Sequence, residues 1–505
     1  MNRSFGGVAA LSVCALAALI SMLVFQSQRR STGGPSSQTE LTFYCAAGIR
    51  KPVEKVIEDY FKDYGVQVNP SYAGSGALLS KIRGSNLGDL YLAASIAYMK
   101  DARKVDLIDE VAHVAKQNLV FVVRKDEKRT KNIKTLEDIL SVKNGRIYLA
   151  DPKVAAIGRA ARKMLGEETW KKVWDAKIAS VDTVNMVANG ITTKVGDIGI
   201  VWDATAKQYD NLRAIRIPQF EAKTKQIAIS ILRSSKHPTQ ALHFLRYLTA
   251  RDKGLVRFKE MGYRVVEGDK WSSSPRIKVF AGGLNRPAIE DIIAEFQKRE
   301  GVTIEPNYNG CGILVGQMKG GTIPDMYFAC DTSFMEQVKE HFPNIIDLSG
   351  TDMVMIVPKS KQAKLGIKVL KDLAKPGLKV GICSPEHSAL GHLSQVLLQK
   401  HELWDSIKAN LRDSPATADV LVTQVAAGGL DVAIVYQANT TRRTKDIEVI
   451  AIQDPLATAV QPIAVAGASD HRHLTNRLLD KIRSAEAKKR FQELGFRWLG
   501  DKKQP

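Results

Sequence analysis

Five cysteines in 505 residues are too few for a disulfide framework, and none stands in a CxxC or Cys/His spacing that would hold a zinc ion. Cys14 lies in an apolar N-terminal run. Cys45, Cys330 and Cys383 lie in strand-like apolar stretches, where a cysteine is ordinarily a buried thiol. Aromatic residues are only 7%, which leaves little with which to stack nucleobases. The basic residues behind a net charge of +20 are spread along the chain rather than gathered in one arm, so no nucleic acid partner is expected. That excess favours small anions or acidic surfaces. Catalytic signatures are missing as well. Ala73 breaks a nucleophile elbow ahead of Gly74-Ser75-Gly76, there is no P-loop, and the glycines from Gly310 to Gly316 miss the dinucleotide spacing by one residue. His387, His392, His471 and His473 lack HExxH or carboxylate spacing. A resident metal, a cofactor and an enzymatic role are therefore not expected.

What is there begins with an uncharged run of 18 residues from Val8 to Phe25, flanked by Arg3 and by Arg29-Arg30. It reads as an export signal or a retained membrane anchor. A Ser/Gly/Thr-rich tether follows, so that residues 1–40 form one targeting segment. The folded part is then expected outside the cytoplasmic membrane, either periplasmic or anchored on its outer side.

The rest of the chain is a repeat. Tyr72-Ala73-Gly74-Ser75-Gly76-Ala77-Leu78 returns 236 residues later as Tyr308-Asn309-Gly310-Cys311-Gly312-Ile313-Leu314. Setting 41–99 against 277–335 without gaps makes 16 of 59 pairs identical, where ordinary residue usage gives about 4. Arg257 to Arg264 likewise returns as Arg490 to Arg497. A unit of this length suits a two-lobed α/β domain rather than a solenoid repeat. The units are placed at 41–266 and 277–500, with a linker at 267–276 that carries a Ser-Ser-Ser-Pro stretch.

Each unit opens with strand, helix, strand, glycine turn, helix and strand, the pattern of a parallel sheet. Two chain crossings per unit would make a hinged clamshell with its cleft at the carboxyl ends of the strands. The lobes are expected at about 41–117 plus 205–266 and 118–204, then at about 277–350 plus 438–500 and 351–437. The fold class expected is α/β, two tandem clamshells with mixed, mostly parallel sheets. At the turns, glycine lets backbone N–H groups and the positive end of the next helix face an anion.

The strand Phe43 to Gly48, the Tyr-x-Gly-Ser-Gly-x-Leu turn, Gly88 to Ala94 and Gly196 to Trp202 resemble the periplasmic molybdate-binding proteins of ABC importers. Val279 to Gly283 and Leu430 to Tyr436 carry the same resemblance in the second unit. It implies the type II periplasmic-binding fold, an importer permease as partner, and a tetrahedral oxyanion held by backbone N–H groups and hydroxyls. Carried across, the family's first serine falls on Gly48 and Leu284, and its second on Ser75 and Cys311, between Gly74 and Gly76 and between Gly310 and Gly312. The second-lobe contacts fall on Ile157 and Val184, and on Leu390 and Ala418. The family's tyrosine falls on Trp202 and Tyr436.

A molybdate dianion carries no proton, so its site needs only donors, and an indole N–H or a phenol O–H supplies one. Loss of the first serine removes a donor worth about 1.5–3 kcal/mol to a charged partner. Arg50 and Arg286 stand where they can reach the mouth of the cleft. Two other readings stay open: an oxyanion sensor tethered to the membrane, and a cleft enzyme with Cys311 as nucleophile, acidified at a helix N-terminus.

Overall fold

The computed structural model describes residues 39–501. The apolar run and the anchor or signal expectation attached to it lie outside the described residues, as do residues 502–505. Among the described residues no helix is long and apolar enough to cross a membrane.

The first unit contributes strands β1 (Glu40–Ala46), β2 (Gln67–Ala73), β3 (Leu90–Ala93), β4 (Ile108–Gln117), β5 (Leu119–Arg124), β6 (Ile147–Ala150), β7 (Lys177–Val181), β8 (Ile198–Trp202), β9 (Leu212–Ile215), β10 (Lys225–Leu232) and β11 (Arg264–Val265). They build two sheets, ordered β11-β4-β10-β3-β1-β2 and β7-β6-β8-β5-β9. β1 runs parallel to β2 and β3, while β10 returns antiparallel beside β3. Leu41, Phe43, Cys45, Leu90 and Leu92 are fully buried, as expected of strands with helices packed over them. The helix Arg50–Tyr64 turns Val53, Val56 and Tyr60 to that core and ends at Gly65, whose φ of 67° terminates it in the left-handed region.

The second unit repeats this with β12 (Arg276–Gly282), β13 (Thr303–Asn309), β14 (Met326–Phe328), β15 (Ile346–Pro358), β16 (Val380–Gly381), β17 (Leu411–Asp413), β18 (Val432–Tyr436), β19 (Ile447–Ala451), β20 (Thr458–Val465) and β21 (Arg497–Trp498). Here β15 passes unbroken between lobes. Its first half pairs with β20 and its second half with β18 and β19, so both lobes join in one sheet path. In the first unit the same passage breaks at Asn118, whose carbonyl accepts from Asp203 N at 2.9 Å and whose N–H donates to Asp203 Oδ1 at 3.0 Å.

The lobe limits read from the sequence need correcting at the return crossings. Residues 205–221 belong with the second lobe, because β9 pairs with β5 and Phe220 stacks on Phe121 with ring centroids 5.2 Å apart. The first lobe resumes at β10. Residues 438–451 likewise stay with the second lobe, because β19 pairs with β15 from Val354 to Pro358. A four-residue edge strand such as β9 has too little alternation to declare which sheet it joins.

Asp89 and Asp325 act as structural caps. Asp89 Oδ2 accepts from Thr42 N at 2.8 Å and its Oδ1 from Ser235 Oγ at 2.6 Å. Asp325 repeats both contacts with Lys278 N at 2.8 Å and Ser469 Oγ at 2.5 Å. The linker is held against both units. Trp271 donates from Nε1 to Tyr64 Oη at 2.9 Å and packs edge-on against His243 and Tyr247, while Asp269 accepts from His473 N and Leu474 N at 2.8 and 2.9 Å. Beside it, buried Glu300 of the second unit takes Arg246 of the first and Arg477 of its own, each at 2.9 Å. A buried carboxylate flanked by two guanidiniums fixes geometry more than it adds stability, but removing one partner strands the others.

His243 lies in that aromatic cluster with Nδ1 2.7 Å from Tyr60 Oη. Burial first, and the nearby Arg246 second, push its pKa from 6.5 down to about 4. The neutral ring is the folded form, so its contribution is complete above about 6.5 and is lost as pH falls through about 4. Tm measured at pH 7 and pH 4 should fall further in the native protein than in His243→Gln. Equal falls would show that this histidine does not carry the acid sensitivity.

Candidate ligand-binding clefts

In the first unit the carboxyl ends of β1, β2 and β3 meet the second lobe around a cavity of about 20 Å³. Its lining includes Gly48, Gly74, Ser75, Ile157, Val184 and Trp202, with Ala94, Ala155 and Thr183. No charged side chain lines it. Three helices begin at its wall, Ser75–Ser85, Ala156–Asp175 and Val184–Thr192. Each directs the positive end of its dipole inward, equivalent to about half a charge. Ser75 Oγ accepts from Ala94 N at 3.2 Å, which orients the hydroxyl and leaves its proton to donate.

The glycines of the turn do more than bend it. Gly76 N donates across the cleft to Val154 O of the second lobe at 2.8 Å, and Ala77 N to the same oxygen at 3.3 Å. A Cβ on Gly74 would stand 2.4 Å from Val154 O and 2.6 Å from Asp182 O. Gly76 is therefore an interlobe latch and is absent from the cavity wall. Gly48 is explained in the same way, since a Cβ there would meet Val184 Cγ1 at 2.6 Å. The missing first serine leaves room for closure.

The second unit builds the same cavity, again about 20 Å³, from Leu284, Gly310, Cys311, Leu390, Ala418 and Tyr436, joined by Cys330, Ser388, Thr417 and Asn439. Gly312 N donates to His387 O at 3.0 Å and, like Gly76, serves the latch rather than the wall. The helices Cys311–Lys319, Ala389–Lys400 and Ala418–Ala426 start there. Tyr436 Oη and Asn439 Oδ1 are buried without a hydrogen-bond partner. Asp419 differs from its counterpart Asn185. Burial raises its carboxyl pKa, and Asn439 Nδ2 donates to it at 3.1 Å.

Arg50 and Arg286 do not reach the cavities. Arg50 pairs with Glu54 at 2.7 Å and stacks over Tyr72 at 5.1 Å; Arg286 pairs with Glu290 at 2.9 Å and stacks over Tyr308 at 5.5 Å. Each is drawn along its own helix face by an i, i+4 carboxylate. Thr183, Thr417, Asn439, Ala94 and Cys330 are lining residues that the sequence reading did not single out. Thr183 had a visible signal, a threonine directly ahead of an apolar helical run, and its Oγ1 accepts from Met186 N at 3.2 Å. Two larger hollows are open grooves, one of about 470 Å³ beside Arg299, Lys489 and Arg490, and one of about 1100 Å³ between Tyr98 of the first lobe and Asp151, Arg159, Arg162 and Lys171 of the second.

Two α/β lobes closing on a shared cavity at strand ends define a ligand-binding clamshell, here present twice. Residues 41–264 and 277–497 each match the bacterial extracellular solute-binding protein family, and the chain belongs to it. A Haemophilus influenzae protein, provisionally named a binding protein, is 27% identical over 226 residues, 44% of this chain and 90% of that protein. The molybdate-binding protein ModA of Escherichia coli is 24% identical over 243 residues, 46% of this chain and 92% of its own. Each match is one unit long. Among solved structures, the periplasmic molybdate-binding protein of Azotobacter vinelandii is similar at 16% identity, covering 45% of this chain and all of that one, with a TM-score of 0.39.

Closure makes a direct prediction. Gly74→Ala should hold the first unit open, because its Cβ meets two carbonyl oxygens of the facing lobe. Small-angle scattering should show a larger radius of gyration than in the native protein, with Tm little changed. An unchanged radius would mean that the turn does not control the hinge.

Proposed function

We propose that this chain captures a tetrahedral oxyanion, molybdate or tungstate, by lobe closure outside the cytoplasmic membrane, and delivers it to the permease of an ABC importer. The observation that carries the reading is the first cavity. Three helix N-termini, the Ser75 hydroxyl and the Trp202 indole converge there, and no charged side chain lines it. Such a wall offers donors and positive dipole ends but no acceptor carboxylate, which suits a fully deprotonated dianion. A substrate carrying its own acidic protons would need an acceptor opposite it.

The identity of the Escherichia coli relative as a molybdate-binding protein supports the same ligand class. The anion would enter an opened cleft, since the closed cavity has room for about one water. The hinge at Asn118 and the paired return after Glu221 are where the backbone would turn. Arg50 and Arg286, paired with Glu54 and Glu290, contribute to the positive field that draws the anion in.

Isothermal titration of the full chain with molybdate, tungstate, sulfate and phosphate tests this. Heat is expected with molybdate and tungstate, and Ser75→Ala should weaken it by about 1.5–3 kcal/mol, roughly ten- to 150-fold, as one charge-assisted donor is lost. No heat from any of the four would remove the proposal.

A further inference from the structure

The second cleft departs from the first at three places that face one another. Ala46, Ser75 and Ala94 of the first unit are replaced by Gly282, Cys311 and Cys330. The backbone arrangement is kept, since Cys330 N donates to Cys311 Sγ at 3.2 Å just as Ala94 N does to Ser75 Oγ at the same distance. The side chains differ in kind. The Cys311 and Cys330 thiols stand beside each other, close enough for each to act on the other's charge. Both are buried, both are free, and both line the cavity. The room for them comes from Gly282, where a Cβ would lie 2.0 Å from Cys330 Sγ and 3.0 Å from Cys311 Sγ. An alanine there, as in the first unit, would occupy the space of the sulfurs.

A single buried cysteine is a small hydrophobe. Two thiols brought together on a cavity wall, beside a buried Tyr436 hydroxyl that has no partner, form a ligand set. We propose that the cleft of the second unit is a dithiol site for a soft, thiolate-seeking centre, either a closed-shell d10 cation or trivalent arsenic. This rests on the reading that the clefts are ligand sites, and it assigns the second a chemistry different from the first. Soft ligands select soft centres over oxyanions, which offer sulfur no bond. Asp419, where the first unit has Asn185, places a carboxyl next to the cavity, which is adverse to a dianion.

The chemistry balances without an oxidant. A divalent cation displaces two protons and forms two metal–sulfur bonds. Arsenous acid, As(OH)₃, exchanges two As–O bonds for two As–S bonds and releases two waters, the thiol protons leaving in them, with arsenic unchanged at +3.

The test uses the full chain, reduced and oxygen-free, titrated separately with cadmium(II) and with arsenous acid. One equivalent of at least one of them should bind to the native protein and to Cys45→Ala, and binding should be lost in Cys311→Ser and in Cys330→Ala. Those substitutions install the side chains that the first unit carries at the same places, so folding should survive, and Tm checks it. Thiolate-to-cadmium charge-transfer absorption gives a second readout on the native protein alone. Binding of neither probe, or undiminished binding in both variants, overturns the proposal. Molybdate titrated into the same samples separates the two readings. If the dithiol arms fail while molybdate still binds, only this inference falls; if molybdate heat is absent while a dithiol probe binds, the oxyanion reading falls.

Discussion

Backbone amides at the glycine turns are asked to do two things, and the geometry divides them. Those of Gly76 and Gly312 reach across to carbonyls of the facing lobe and latch the clamshell. The starts of the helices around them supply the positive lining of the cavity. Both tasks require a chain that bends without a side chain, since Cβ atoms at Gly74 and Gly310 would stand 2.4 and 2.2 Å from facing carbonyl oxygens. Sheet order, helix direction and hinge placement all serve to bring these two corners to one spot. An anion held this way is neutralised by dipoles fixed before it arrives, so little reorganisation is needed on binding.

Duplication gives the chain an internal control. Caps at Asp89 and Asp325, latches at Gly76 and Gly312, and the backbone bond under Ser75 and Cys311 are the same in both units. What differs is the surface presented to a ligand. Where the first unit has Gly48, Ser75, Ala94 and Trp202, the second has Leu284, Cys311, Cys330 and Tyr436. The scaffold has been kept while its two clefts have diverged. Arg246, Arg477 and Glu300, together with Trp271 and Asp269 of the linker, hold the copies against each other.

Much of this was legible in the residues. The doubled Tyr-x-Gly-x-Gly-x-Leu turn located both clefts, and apolar strands separated by helical stretches located the sheets, because those signals are local. Six of the seven positions named in each unit do line its cavity. The exceptions, Gly76 and Gly312, lie one residue further along, and only the partner lobe shows that their amides are already engaged. Arg50 and Arg286 stay off the cavity walls, because Glu54 and Glu290 claim them first, and a linear chain does not show those pairings. The return crossings were misplaced because β9 and β19 are short edge strands whose sheet is decided by long-range pairing. Cys330 read as an ordinary strand thiol, since nothing in a linear chain shows that Gly282 opens a space in which it meets Cys311.

The proposed capture of a small dianion by fixed amide and hydroxyl donors in the first cleft can be seen directly. The most direct measurement is a crystal structure of the full chain grown with molybdate, with data collected across the molybdenum absorption edge. One anomalous peak is expected in the first unit, within hydrogen-bond reach of Ser75 and Trp202 and at the starts of the helices at 75, 156 and 184. Anomalous density only outside that cavity, or none in it at saturating molybdate, would contradict capture by these donors.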